Sequence, residues 1–568
     1  MLFTLALTCA LLGPVQTPSA AEDVSSVSTT GHRRVLIHGG RIYLGNAEGS
    51  AVEAILVEDG RVLIAGPLPE LGVDFDEPGL GKIDLKGAVA VPGLQDAHGQ
   101  VEALGACQSE LDLRGLESFE AVLDVVAEAA LSADAGSWII GWGWDQEAWE
   151  TQEYPHHARL SEVSGTHPVL LRSIGGDALM VNAVVLRKAQ MLGPLEPPPR
   201  IPGGRVLVDE QSHATGIFFG NAQKQMLDLL PQVEGGALEA RLLQAQEQLL
   251  ALGVTCVHDM GVSLEALNAY QDLRERGLLK IRIVAYLDGS EGFGDAGLVG
   301  VKGLSDDRDL FTVAGTYFAL DGSLATRSAA LLQDYSDMPG ERGSLLMTNE
   351  TLTVLVHETW QAGLQPVVGA HGDLANRVAL DTYQRMFDVD KRFLDLRPRI
   401  EHAQLIAPRD FPRFPELLIA PTMQAGCSMN QGRLLDTRLG VHRSRVAQAW
   451  RSLAPGWKQL AFGSNSPAGN VNPLHGLHAI RVQRPLESLG TNSDLGAKRL
   501  GGLGALAGFT RGAAHAALQE DRRGQLLPGF WADLTILDLD PVDVAPEKLL
   551  TGKVLMTIIN GEIVYPRE

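Results

Sequence analysis

Two histidines stand where spacing gives them a meaning. His98 stands near the end of the run Ala88 to Gln100, in which the apolar stretch Ala88-Val89-Ala90-Val91 meets a Pro92-Gly93 break before Asp96-Ala97-His98-Gly99-Gln100. Residues two apart share a face of a strand, so His98 and Gln100 would project together from its C-terminal end. His402 lies within a second run, Arg399-Ile400-Glu401-His402-Ala403-Gln404. A histidine there can bind a metal or carry a proton. The chain has 15 histidines, and most histidines in proteins are surface or satisfied core residues, so number alone decides nothing. Other polar side chains follow apolar runs. Tyr317 lies four residues before Asp321-Gly322-Ser323, and His371 and Asp373 follow Pro366 to Ala370. His258-Asp259 follows Val254 to Val257 and reads as a loop pair. Asn465 sits in Gly463-Ser464-Asn465-Ser466-Pro467; an amide takes up no proton at accessible pH, so it cannot be a general base.

These side chains need a scaffold that gathers strand ends. The middle of the chain alternates apolar strand-like runs with longer helical patterns, as parallel βα units do. Candidate strands are Val169 to Leu171, Val254 to Val257, Ile281 to Tyr286, Pro366 to Ala370, Arg399 to His402, Leu418 to Pro421 and Leu460 to Gly463. Ala237 to Ala251 is rich in Leu, Ala and Gln with no Gly or Pro inside, and predicts a helix. The pattern predicts an α/β fold, a (β/α)8 TIM barrel, whose chemistry belongs at the C-terminal strand ends. Short strands with tight turns mark both ends of the chain. Asp59-Gly60 and Asn560-Gly561 each lie between apolar runs, as hairpin turns do. Each end is too small to bury a core alone, which favours joining them.

The motifs resemble those of the amidohydrolase superfamily, in the branch that includes N-substituted formamide deformylases. The run ending at Gln100 is similar to its first barrel strand, PG-[LIF]-x-D-x-H-x-H; Gly524 to Leu534 is similar to its GxLxPGxxADL pattern; Trp138 to Asp145 is similar to its GWD segment. The resemblance covers nearly the whole chain. It implies a barrel with a small β-sandwich domain built from both ends, and hydrolysis of C–N bonds other than peptide bonds. The boundaries expected are a signal peptide at 1–21, a linker at 22–32, a first sandwich part at 33–91, the barrel at 92–510 and a second sandwich part at 511–568.

Such a hydrolase uses metal to lower the pKa of bound water from ~16 to ~7, and a carboxylate to take the proton. By resemblance His98 and His402 match metal-ligand positions. Gln100 stands at the second ligand, and a neutral amide is a poor zinc ligand beside imidazole or carboxylate. Tyr317 stands where a bridging carboxylated lysine would be. Gly369 stands at the histidine of an HxxGD motif, with His371 two residues late. Asn465 replaces the aspartate that is both ligand and base, and Gly175-Gly176-Asp177-Ala178 replaces a DGHA element. The cofactor expectation is therefore none, or a weakly bound divalent metal, zinc if any. Trp144, Asp321, Asp373 and His371 are candidate ligand contacts, with packing the plainer role for Trp144. His371, Asp373, Asp321 and Glu401 could instead rebuild a metal site with His98 and His402.

The chain has 568 residues, 45% hydrophobic and 20% charged, which fits a large barrel with appended parts. A net charge of −22 argues against nucleic acid or anionic membrane as partner. Leu2 to Leu12 and the small residues Ser19-Ala20-Ala21 fit a secretory signal, too short to span a membrane. That places the protein outside the cytoplasm, secreted or periplasmic; a lipoprotein signal ending at Cys9 fits less well. Cys107, Cys256 and Cys427 are scattered and suggest small core residues rather than a disulfide framework. Three readings follow: a hydrolase scaffold with a decayed metal site that binds a small ligand or partner, a working amidohydrolase with a mononuclear or rearranged site, and an extracytoplasmic binding module. Oligomeric state is left open by the sequence.

Overall fold

The run from Val89 to Gly99 serves two sheets, and the Pro92-Gly93 break divides it. Val89–Pro92 belongs to a β-sheet built from both chain ends, and Leu94–Gly99 opens a barrel. A computed structural model describes residues 34–566, apart from 193–197, 232, 234, 291, 293–296, 299–300, 302–303, 307, 427–431, 449–452, 454–459 and 483–499. The signal segment, the linker, Cys9 and Cys427 lie outside the described residues.

The barrel strands, labelled in chain order, are β1 (Leu94–Gly99), β2 (Val254–Val262), β3 (Arg282–Asp288), β4 (Phe311–Ala319), β5 (Gln365–Ala370), β6 (Arg399–His402), β7 (Ala420–Gln424) and β8 (Ala461–Gly463). Each pairs in parallel with the next, and a parallel bridge from Gly99 to Ser466 closes the ring. The helix expected at Ala237 to Ala251 spans Gly235–Ala251 and packs Leu242, Leu249 and Leu250 against the barrel.

One expected strand lies elsewhere. Val169–Ser173 belongs to a separate six-stranded sheet inserted between β1 and β2, where it pairs with Ile139–Trp144 and Ala178–Val181. The barrel strand that the apolar runs do not mark is β4, whose Ala, Gly and Thr positions weaken its apolar signal. A short apolar run carries no mark of the sheet it will join.

Both chain ends meet in one eight-stranded sheet. Val89–Pro92 pairs antiparallel with Leu534–Leu537, and one apolar cluster draws Ile37, Ile55 and Ile83 from one end and Leu534, Ile536 and Ile558 from the other. The buried Arg282 of β3 fixes this domain to the barrel. Its guanidinium donates to both carboxylate oxygens of Asp533, at 2.6 and 2.7 Å. Asp533 also accepts from the Asn560 amide, at 3.0 Å. The Asp of the C-terminal motif therefore joins domains rather than serving chemistry.

Candidate functional site

The C-terminal strand ends open into a cleft of about 2360 Å3, whose lining includes His98, Gln100, Tyr317, His371, His402 and Asn465. The inserted sheet supplies one wall, through Trp142, Trp144 and Asp145.

His98 is placed by the junction of β1 and β8. Asp96 accepts from the amides of His98 and Ser464, at 3.1 and 2.8 Å, and from the Ser464 hydroxyl. Gly463 lets the strands approach: a Cβ there would lie 2.5 Å from the His98 nitrogen. The His98 Nδ1 sits 2.7 Å from Glu401 Oε2. Glu401 is buried, and burial by itself raises a carboxyl pKa. The Arg399 guanidinium and the His98 bond outweigh burial and hold it below the usual carboxylate range. An ionised Glu401 only accepts, so His98 Nδ1 carries the proton and Nε2 is the nitrogen left for other partners.

Arg399 is buried inside the barrel. It donates to Glu401 Oε1 at 2.9 Å, to Tyr286 Oη at 2.9 Å and to the Ala97 carbonyl at 2.9 Å, with His258 Nδ1 at 3.1 Å. The sequence did not single out Arg399, although its position two residues before Glu401 on one strand puts both on the same inward face. His258 and Asp259 differ from the expectation of a loop pair. β2 runs on to Val262 and buries both, so the apolar run underestimates the strand. Asp259 accepts from Tyr270 Oη at 2.7 Å and from the Val101 amide at 2.9 Å, and burial pushes its carboxyl up to about 7.

Tyr317 and Gly369 meet at the expected ligand positions. β4 pairs with β5 so that Tyr317 faces Val367 and Ala319 faces Gly369. A Cβ at 369 would collide with the Tyr317 hydroxyl and lie 3.1 Å from its Cζ. The Tyr317 ring also meets His98 edge-on, at 5.7 Å between centroids.

His371 and His402 stack with ring centroids 3.8 Å apart, and His402 lies 4.9 Å from His98. His402 has φ +66° and Asn465 φ +60°, a left-handed backbone that is costly for residues other than glycine and concentrates at sites. Burial holds the His402 pKa well below its ordinary value, and the neighbouring His371 and His98 add to the depression. His402 is thus a neutral imidazole at neutral pH. It donates to the side-chain oxygen of Gln424, at the end of β7.

The other candidates have structural partners. Asp321 accepts from the amides of Ala330, His371 and Gly372, each at 2.8 Å, and so pins the loop after β5. Asp373 accepts from the Leu332 amide at 2.9 Å. Trp144 is buried and donates to the Leu171 carbonyl at 3.0 Å within the insert's core. Asp177 accepts from the Ser323 amide at 3.1 Å and the Thr326 hydroxyl, linking insert to barrel. Among the described residues, no three His, Cys, Asp or Glu side chains are placed to share one metal ion.

A closed parallel barrel with polar side chains gathered at the C-terminal strand ends is the architecture of a (β/α)8 protein. The Amidohydrolase family model matches residues 82–565, and the chain belongs to that family. It is 28% identical over 545 residues to the amidohydrolase YtcJ of Bacillus subtilis (strain 168), covering 94% of this chain and 100% of that relative. It is 22% identical over 549 residues to the N-substituted formamide deformylase of Arthrobacter pascens, covering 94% and 99%. An uncharacterized metal-dependent hydrolase from Pyrococcus horikoshii OT3 superposes with a TM-score of 0.72 at 26% identity, covering 90% of this chain and 99% of that one.

Proposed function

We propose that this amidohydrolase-family chain binds a small molecule at the barrel mouth and that its metal-dependent hydrolysis is weak or lost. The observation that carries this reading is the Tyr317 hydroxyl lying where a side chain at 369 would begin. A hydrolase that activates water on a metal needs several convergent donors and a base near the bound water. Here Tyr317, Gly369, Gln100 and Asn465 stand where the resemblance expects donors, and Asn465 cannot take a proton. The nearby carboxylates have other partners: Glu401 holds Arg399 and His98, and Asp321 holds three amides. The residues present do not fit a tightly held divalent cation, and no catalytic step is assigned to one.

A second reading, an active enzyme with a mononuclear or rearranged site, is favoured by the pair His98 and His402. A carboxylate on the far nitrogen of an imidazole, as Glu401 on His98, is the arrangement that orients histidine ligands in metal sites. Elemental analysis of the purified full chain separates the two. The first reading expects less than stoichiometric zinc and no turnover of amides, N-substituted formamides or cyclic ureides. Stoichiometric zinc that is lost in the His98→Ala, His402→Ala double variant, together with zinc-dependent turnover, would establish the second.

The signal-like N-terminus supports a site of action outside the cytoplasm, in the periplasm or beyond. Among the described residues no helix is long and apolar enough to cross a membrane.

A further inference from the structure

The lining of the cleft carries a chemical signature that the family's metal chemistry does not explain. Carboxamides recur around it: Gln100, Gln404, Gln424, Gln448 and Asn465, while that of Asn470 is taken up by His475 and the Asn472 amide. No lysine lines it among the described residues, and its one arginine, Arg114, is held by Asp112 at 2.8 and 2.6 Å with its guanidinium 4.6 Å over the Trp142 ring. The carboxylates in the wall are likewise engaged. Glu110 pairs with Arg172, Glu147 with Arg438, and Asp145 caps the Glu147 amide at 3.1 Å. Gln424 is only 8% exposed, and its buried Nε2 has no hydrogen-bond partner. A buried donor left unpaired is costly, so this one points to an acceptor supplied from the cleft.

We propose that the cleft binds an uncharged, polyhydroxylated ligand, a neutral oligosaccharide, with Gln424 Nε2 donating to one of its oxygens. A carboxamide donates and accepts, and so does a hydroxyl, so a ring of carboxamides matches a ligand bearing many hydroxyls. An anion would call for an unpaired cation, and Arg114 is already spent on Asp112. A simple amide brings only two polar groups to a wall that presents many. The volume also exceeds the roughly 300–1,000 Å3 of ordinary small-molecule pockets, which suits several sugar units rather than one.

The proposal rests on the ligand-binding reading given above, and its test separates the two. The full chain, held in chelator, is titrated calorimetrically with cellotriose, maltotriose and chitotriose. Trigalacturonate serves as the anionic probe and N-benzylformamide as the amide probe. At least one neutral trisaccharide is expected to bind with Kd below about 1 mM, and Gln424→Leu to weaken it at least about tenfold. Gln100→Ala, at an exposed position, is the second variant if Gln424→Leu does not fold; it is expected to weaken binding about threefold or more. Binding of trigalacturonate or N-benzylformamide without any neutral trisaccharide overturns the oligosaccharide proposal and leaves the ligand-binding reading standing. Saccharide binding unchanged in every folded variant overturns it as well, as does no binding by any probe. Failure of the underlying reading shows separately, as zinc-dependent turnover in the metal-replete protein.

Discussion

The hydroxyl of Tyr317 fills the space over the Cα of Gly369, so the two residues are complementary in volume across neighbouring barrel strands. Neither can be changed toward a metal ligand without regard to the other.

Gly369→Ala alone is expected to destabilise the fold by about 1–3 kcal/mol through overpacking. Tyr317→Ala with Gly369→Ala should cost less than the sum of the single changes, because the clash is shared. Urea unfolding of the four proteins of the cycle measures this. Strict additivity would mean the two side chains do not meet.

Restoring the missing donors should restore metal uptake only as a set. Gln100→His, Tyr317→Lys, Gly369→His and Asn465→Asp together are expected to raise zinc affinity, read by calorimetry on the folded variant. Gly369→His in the presence of Tyr317 should not, since the phenol occupies the new side chain's path. Nil uptake by a folded quadruple variant would show that these positions do not converge.

Arg399 and Glu401 form a fully buried ion pair inside the barrel, at 2.9 Å. Glu401→Gln leaves the guanidinium without its counter-charge and is expected to cost roughly 3–5 kcal/mol of stability. Arg399→Met with Glu401→Leu should cost less than either single change. Chemical denaturation of the four variants decides it.

Asp259 gives a pH dependence of definite sign. Its ordinary carboxyl value of 3.8 is raised in the fold to about 7, so the folded protein binds the extra proton between those values. Stability should therefore fall as pH rises through that window and level off above it. Asp259→Asn keeps an oxygen for the Val101 amide and should remove this slope, measured as unfolding free energy against pH. A slope unchanged in the variant would assign it to other groups.

Much of the scaffold was legible in the chain. Alternating apolar runs, the Pro92-Gly93 break and the C-terminal motif carry the barrel and the sheet shared by both ends, because periodicity and turn chemistry are local properties. The strand Val169–Ser173 was not legible as part of an insert, nor Phe311–Ala319 as a barrel strand, because pairing partners lie far away in sequence.

At the site, the sequence by itself determined which donors stand at each strand end: histidine at 98 and 402, and amide, phenol or hydrogen at 100, 465, 317 and 369. Only the tertiary structure decided what those atoms touch. Glu401, which the sequence offered as a metal ligand, is turned instead to Arg399 and His98. Asp321 is consumed by backbone amides, and the Tyr317 hydroxyl closes over Gly369. Side-chain identity is written along the chain. Partnership depends on register between strands and on which buried charges must be neutralised, and both are set only when the barrel closes.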